Sequence, residues 1–437
     1  MPNETILLSD VGGTNIRFAL YRHGVLSEKI TYDCTKGTAF KDYVERFWQE
    51  IQQLEAGWTK PHCAIVGAAG LIEGNVVYSK NCPIPISKQS IQEWGFDEVD
   101  IENDFVTQSR AVKSSSVHDF IWQKGAEQTL NGTVMVVGPG TGLGMSVIHE
   151  SSKKRMLPRA AEAGFTTLPL LERASEKQNK AIEILREYMK RKHKSRLVYD
   201  QIVSGTGIMR LFYARKHVDD LKKDKNLQFN LPRVPSDDEK GMSIPDKLKN
   251  NIRLNAYEIC RMAEKGDRTA IESVDYFLSY LGRFAGDQAN VNLPDVIIFA
   301  GGVMCDAYIQ KRMFEKGSPF LKEYKKARLK GGKKERPMGI SKNRAVAFTG
   351  LVVAAEEKLR KRRDAMYLKM SALSYFNPDD LACTLLNKNV IKDYGNQTLN
   401  PADASTLDIH FSREKVKSGM NIAAAGVLRT FTMNTGR

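Results

Sequence analysis

No apolar run in this chain reaches the roughly 18 residues that a membrane-spanning helix needs, so a membrane partner is not expected. Cysteine is sparse and dispersed. Cys34, Cys63, Cys82, Cys260, Cys305 and Cys383 form no CxxC pair and no Cys/His set at zinc spacing, which suits reduced thiols in a cytoplasmic protein. The seven histidines are scattered and no HExxH occurs, which disfavours a zinc enzyme. The start, MPNETILLSDVGG, has neither a basic leader nor a small-residue cleavage site and reads as a first strand. Aromatic residues are not interleaved with the basic runs, as a platform for single-stranded nucleic acid requires, so a nucleic-acid partner is not expected either.

What is present is ordinary in bulk and uneven in charge. The 437 residues are 42% hydrophobic, enough for two or three globular units at about 150 residues each. The formal charge is +15, concentrated at 177–196, 322–344 and 358–363. These stretches read as solvated helix faces and loops; a field that steers a polyanion is the alternative.

Along the chain, strands and helices alternate. Residues 5–8 are strand-like, 15–21 follow as a second strand, and 26–32 give a third after the His23-Gly24 turn. From Phe40 to Leu54 the apolar residues Phe40, Tyr43, Val44, Phe47, Ile51 and Leu54 recur at helical intervals. Short strands are expected at 62–67, 75–78 and 98–101, the last running into Glu102-Asn103-Asp104. A second set opens at 133–137, turns through GPGTGLG at 138–144, and continues as a strand to His149. Strand, glycine turn, strand: the order repeats that of the N-terminus and suggests an internal duplication. Residues 171–194 lack Gly and Pro and read as one long basic helix, while 214–250 look like a solvent-exposed excursion. Helical periodicity returns at 268–288. A buried strand at 296–300 then leads to Gly301-Gly302, and a helix rich in Ala and Val is expected at 345–359.

Three constellations carry chemistry. The first is Asp10-Val11-Gly12-Gly13-Thr14-Asn15-Ile16-Arg17, directly after a strand. Adjacent glycines allow a tight turn with positive φ that brings backbone N–H groups close to an anion. Asp10 can hold Mg²⁺ through water beside a triphosphate, and Thr14, Asn15 and Arg17 can donate to phosphate oxygens. The bland reading is a plain hairpin with a capping Asp. The second is the turn with Gly138, Gly140, Thr141 and Gly142. No Gly-Lys-Ser/Thr follows it and a strand comes next, so it is neither a Walker loop nor a dinucleotide fingerprint. A cleft between two such hairpins can grip one triphosphate from both sides. The third is Asn103-Asp104, at a strand end where a helix begins. Phosphoryl transfer to a hydroxyl needs a carboxylate in hydrogen-bond reach to take the proton, and Asp104 is the candidate catalytic base. Its bland alternative is an Asp that caps the helix starting at Phe105.

DVGGTN, ENDF, GPGTGLG, the SGTG turn at 204–207 and FAGG at 299–302 occur in the order found in bacterial-type glucokinases, which the chain resembles over about residues 5–360. The resemblance implies an α/β fold with two ribonuclease-H-like α/β domains flanking an active-site cleft, closing on glucose and Mg–ATP. We expect a small domain over 1–104 with a helix at 345–360 returning to it, a large one over 105–344, and an extension of unknown role at 364–437. Within that family Gly301 and Gly302 sit against adenosine, the Asp at 104 is the base, and the Asn at 103 binds a sugar hydroxyl. Glu162 matches the family's sugar-binding Glu, and Asp200 stands where the family has a second Glu. In Ser79-Lys80-Asn81 the family tends to carry Thr-Asn, and Asn81 is the candidate for that role. Phe165 occupies the position of a family His and can neither donate nor accept the lost hydrogen bond; a local shift that brings in Thr166 or Thr167 is the other alignment.

The expected activity is ATP-dependent phosphorylation of a hexose 6-hydroxyl, glucose by default, with ATP and Mg²⁺. A kinase for another hexose or an amino sugar, and a non-catalytic nucleotide-binding or sugar-sensing relative, are the alternatives. The apolar segments 373–376 and 422–428 are expected to pack on the body of the protein or on a second subunit in a homodimer.

Overall fold

The computed structural model describes residues 4–373 except 14, 34–38, 79–84, 151–155, 173, 330–335 and 344–345. Residues 5–354 form one compact unit, and the described residues 4 and 355–373 belong to another.

The first sheet is built from β1 (Ile6–Val11), β2 (Asn15–Arg22), β3 (Val25–Leu26), β4 (Ile30–Asp33) and, after α1 (Phe40–Leu54), β5 (Cys63–Ala68). The expected third strand is thus two short ones. A small three-stranded sheet, β6 (Leu71–Glu73), β7 (Val76–Tyr78) and β8 (Ile86–Ser87), precedes α2 (Lys88–Glu93), and β9 (Glu98–Asn103) returns to the first sheet. Its order is β3-β2-β1-β5-β9, antiparallel at β1/β2 and parallel at β1/β5 and β5/β9. Helix α1 buries Phe40, Tyr43, Phe47 and Ile51 against this sheet, as the spacing predicts, while Leu54 is exposed at the helix end.

After α3 (Asp104–Ser114), the second sheet takes β10 (Phe120–Trp122), β11 (Val134–Pro139), β12 (Leu143–Glu150) and β13 (Met156–Ala161). Helices α4 (Glu176–His193), α5 (Gly205–Asp220), α6 (Ile244–Lys249), α7 (Ala256–Glu264) and α8 (Arg268–Asn292) follow before β14 (Val296–Phe299). A 3-10 turn at Gly302–Cys305, α9 (Ala307–Phe314), α10 (Pro319–Ala327), β15 (Met338–Ser341) and α11 (Val346–Leu373) complete the described chain. The order is β13-β12-β11-β14-β15-β10, with the same directions at equivalent pairs as in the first sheet. The repeated strand–turn–strand pattern is therefore a repeated topology.

The central strands VMVV and VIIF read as continuous apolar runs because both faces are covered. Alternation sends Met135, Val137, Ile297 and Phe299 toward α5 and α8, and Val134, Val136, Val296 and Ile298 toward α3. Helix α11 crosses α3 at Gly350, where a Cβ would stand 1.7 Å from the Thr107 carbonyl oxygen.

Some expectations need correction. The basic helix starts at Glu176, not at 171, because the Ser175 hydroxyl accepts from Gln178 N–H and caps it there. The excursion at 214–250 is not all solvated. Its first residues finish α5, Phe229 is buried in the core, and the Lys247 ammonium is buried on Glu258 Oε1 at 2.6 Å. Helix α11 continues through the expected boundary at 363; residues 374–437, including the apolar segment 422–428, lie outside the described residues. No helix among the described residues is long and apolar enough to cross a membrane.

Candidate active site

An open cleft of about 1880 Å³ is lined by both sheets' glycine hairpins and by the carboxylates the sequence singled out. It exceeds the roughly 300–1,000 Å³ of a single small-molecule site and has room for two substrates together.

At the β1–β2 hairpin, Asp10 and Arg17 are direct cross-strand partners, and Asp10 Oδ2 accepts from Arg17 Nη1 at 2.7 Å. Burial pushes the Asp10 carboxyl up, against the pull of Arg17 and Lys29. Arg17, a candidate phosphate donor, commits one of its five donors to Asp10, and the rest of the side chain remains partly open to the cleft. Gly12 N–H closes the turn on the Asn15 carbonyl at 2.9 Å. Gly12 is not among the glycines with positive φ, and among the described residues an added Cβ would meet nothing closer than Asn15 O at 3.4 Å. Its glycine leaves bare backbone facing the cleft, which Gly13 also lines. Asn15 is not among the lining residues, and Thr14 lies outside the described residues.

The β11–β12 hairpin is held far more tightly. Gly138 pairs with Gly144, and Gly140 N–H bonds Gly142 O at 2.7 Å across the tip. The Phe105 ring lies under the pair: an added Cβ would come within 1.8 Å of it at Gly144 and 2.5 Å at Gly138. Asp200 Oδ1 accepts from Leu143 N–H at 2.7 Å and fills the space where a Gly142 Cβ would be. Gly205 N–H, at the start of α5, donates to Gly140 O at 2.8 Å. Gly301 has φ of 94°, and its Cβ would meet Pro139 O at 2.6 Å, so glycine is required there on two counts. Gly138, Gly140, Thr141, Gly142, Gly301 and Gly302 all line the cleft.

Between the hairpins stands the N-terminus of α3. Asn103, not Asp104, is the cap: its Oδ1 accepts from Phe105 N–H and its Nδ2 donates to Gly70 O, each at 2.8 Å. One amide N–H of Asn103 is left for a ligand. Asp104 is the first residue of the helix and not its cap. Burial, then the charge of Asp10 and more weakly that of Glu162, push its carboxyl up to about 7, against a backbone N–H bond from Phe105. Phe105 seats this helix end on the second hairpin, so the neighbour of Asp104 sets its distance from the turn.

Glu162 follows β13, and its carboxyl is raised by burial and by Asp200. Phe165 is 38% exposed and lines the cleft beside it. The Thr166 hydroxyl donates to Ala163 O at 2.8 Å, and neither Thr166 nor Thr167 is among the lining residues. Asn81 lies outside the described residues.

Sequence reading missed Lys29, Gln108, Arg253, Tyr257, Arg261 and Phe348, all of which line the cleft. They sit in segments without a motif. The one legible signal was glycine in the second hairpin, where Gly138 and Gly144 leave room for Phe105 and Gly142 leaves room for Asp200.

Residues 7–358 match the family model described as Glucokinase. The chain belongs to the glucokinase family. Among curated relatives, a glucokinase of Brucella abortus biovar 1 (strain 9-941) is 24% identical over 364 residues, covering 81% of this chain and 92% of that protein. A bifunctional protein glk of Paraburkholderia xenovorans (strain LB400) is 24% identical over 361 residues, covering 82% of this chain and 49% of its own; the chain spans about half of that relative. A crystal structure of glucokinase from Balamuthia mandrillaris in complex with glucose superposes with a TM-score of 0.62 at 16% identity, covering 80% of this chain and 93% of that one. That likeness bears on the fold. The paired sheets of glucokinase-family architecture are what this chain shares with it.

Proposed function

We propose that this member of the glucokinase family transfers the γ-phosphoryl group of ATP to the 6-hydroxyl of glucose. The observation that carries the reading is the meeting, in one cleft, of two glycine hairpins and a carboxylate raised to about 7. On this reading the hairpin backbones hold the phosphates from both sides, with Gly301 and Gly302 against the adenosine. Asp104 takes the proton of the 6-hydroxyl as its oxygen bonds to the γ-phosphorus and the bond to the ADP oxygen breaks; the proton then passes to solvent. A base with a pKa near the working pH is half ionised there, which suits proton uptake. Asn103 offers its remaining amide hydrogen to a sugar hydroxyl, and Glu162, Asp200 and Asn81 are the other sugar-side candidates. Asp10 is the residue that fits a Mg²⁺ held mostly by phosphate and water, and that ion would supply neutralisation of phosphate charge. The proposal extends to a cytosolic setting, for which the dispersed cysteines are the support.

Coupled ADP release with glucose tests the activity. Asp104→Ala should lower kcat by about 10²–10⁴-fold and leave ADP affinity unchanged; retained turnover removes Asp104 from its role. The wild-type rate should rise with pH through about 7. Stability should run the other way. The fold raises this carboxyl from 3.8 to about 7, so the native state binds the proton more tightly and stability falls as pH rises across that window. Asp104→Asn lacks this loss, and its advantage in Tm should grow from pH 4 to pH 7.

One observation favours a second acceptor. The Phe165 ring beside Glu162 offers no hydrogen bond, and an unpaired buried sugar hydroxyl costs about 1–3 kcal/mol. A hexose that lacks or relocates that hydroxyl would avoid the loss, and an amino sugar is the other candidate acceptor. Specificity constants across a sugar panel, with Phe165→His, separate the two acceptors.

A further inference from the structure

At one end of the cleft, α5, α7 and the 3-10 turn after β14 converge. A Cβ on Gly205 would touch Gly140 O at 3.4 Å, Val303 Cγ2 at 3.5 Å and Ala256 Cβ at 3.8 Å. The cleft wall contributed by these segments mixes apolar Met209, Leu254, Ala256, Val303 and Ile309 with polar residues that include Arg253, Asn255 and Asp306. Its rim carries an unusual feature: Tyr257 is 64% exposed, although large aromatic side chains seldom stay so open. Its ring is backed by Arg261, one helical turn along α7, whose guanidinium carbon lies 5.0 Å from the ring centroid. Arg261 is itself tied on two sides, to Glu264 at 2.6 Å and to Asp306 at 3.3 Å. Asp306 in turn caps α9 through Tyr308 N–H and Ile309 N–H. The Arg261 Nε–H is buried and has no acceptor among the described residues. A ring with one face fixed on a pinned guanidinium presents its other surface at little further cost in side-chain entropy.

We infer that Tyr257, backed by Arg261, is the stacking platform for the nucleobase of the phosphoryl donor and determines preference for an aromatic nucleoside over bare polyphosphate. The inference rests on the kinase reading. It adds a residue that no motif marks, exposed on the lining of the cleft that the phosphate turns share. Stacking contacts every base through its π face, so the platform favours a nucleoside without choosing among purines.

The test compares calorimetric binding of ADP and of inorganic tripolyphosphate to the full chain and to Tyr257→Ala and Tyr257→Phe. Loss of one base–aromatic stack corresponds to roughly 5–150-fold in affinity. Tyr257→Ala should weaken ADP by about tenfold or more and leave tripolyphosphate unchanged; Tyr257→Phe should keep wild-type affinity for both. Because the side chain is mostly solvent-exposed, the variants should fold, which the Tm checks. Equal ADP affinity in wild type and Tyr257→Ala overturns the assignment while the kinase reading stands. Equal loss of both ligands also overturns it, since the ring would then only shape the cleft. A wild type that binds neither ligand ends the kinase reading and this one together.

Discussion

In the first hairpin the cleft side of Gly12 is open, and the nearest atom to an added methyl is the turn's own carbonyl at 3.4 Å. In the second hairpin Gly138, Gly142 and Gly144 have their missing side chains replaced by Phe105 and Asp200, at 2.5 Å or less. The two hairpins occupy equivalent places in sheets of the same order, so topology does not explain the contrast. The difference is in what the glycines face. Gly12 of the first lines the cleft with no side chain of its own. Those of the second accept pieces of the protein, and through Phe105 they locate the helix that carries Asp104. Similar glycine-rich strings thus serve approach in one hairpin and packing in the other.

Three substitutions can break or sharpen that contrast, ordered by expected loss of stability. Gly144→Ala places a methyl inside the Phe105 ring and should cost about 1–3 kcal/mol by denaturant titration, partly recovered when Phe105→Leu is added. No loss would mean that the ring swings aside and the second hairpin is as open as the first. Asp200→Ala removes the acceptor of Leu143 N–H and should cost about 1 kcal/mol, with a raised KM for ATP as the tip loosens. If only the sugar KM moved, Asp200 would serve the acceptor and not the turn. Gly12→Ala should change stability by under about 0.5 kcal/mol. Its kcat/KM for ATP should nevertheless fall by roughly 10–100-fold, since the methyl stands where phosphate must approach. An unaltered ATP constant would show that the first hairpin is not a phosphate contact.

Much of the fold was legible because its signals are local. The apolar period of α1, the buried runs at β11 and β14, and the strand–turn–strand repeat each depend on neighbours a few residues away. Asp104 was singled out as a candidate base from a polar trio at a strand end that opens a helix, where capping was the other reading. Which residue caps α3 was not legible. Asn103 and Asp104 are both good caps, and the choice turned on Gly70 O and on where the chain enters the helix. The bracing role of Asp200, and the cleft positions of Lys29, Tyr257 and Arg261, had no local signature either. Each faces a segment far away in the chain, and side-chain direction across such a gap is set by packing.

The amino-acid sequence alone determined the α/β class, the two glycine hairpins and the candidate base, because backbone propensity, apolar period and the chemistry of a short motif act within a few residues. Only the tertiary structure decided that both hairpins and the carboxylate line one cleft, and that this carboxyl titrates near neutrality. Burial and the field of Asp10 and Glu162 are properties of a packed interior, and no stretch of chain carries them by itself.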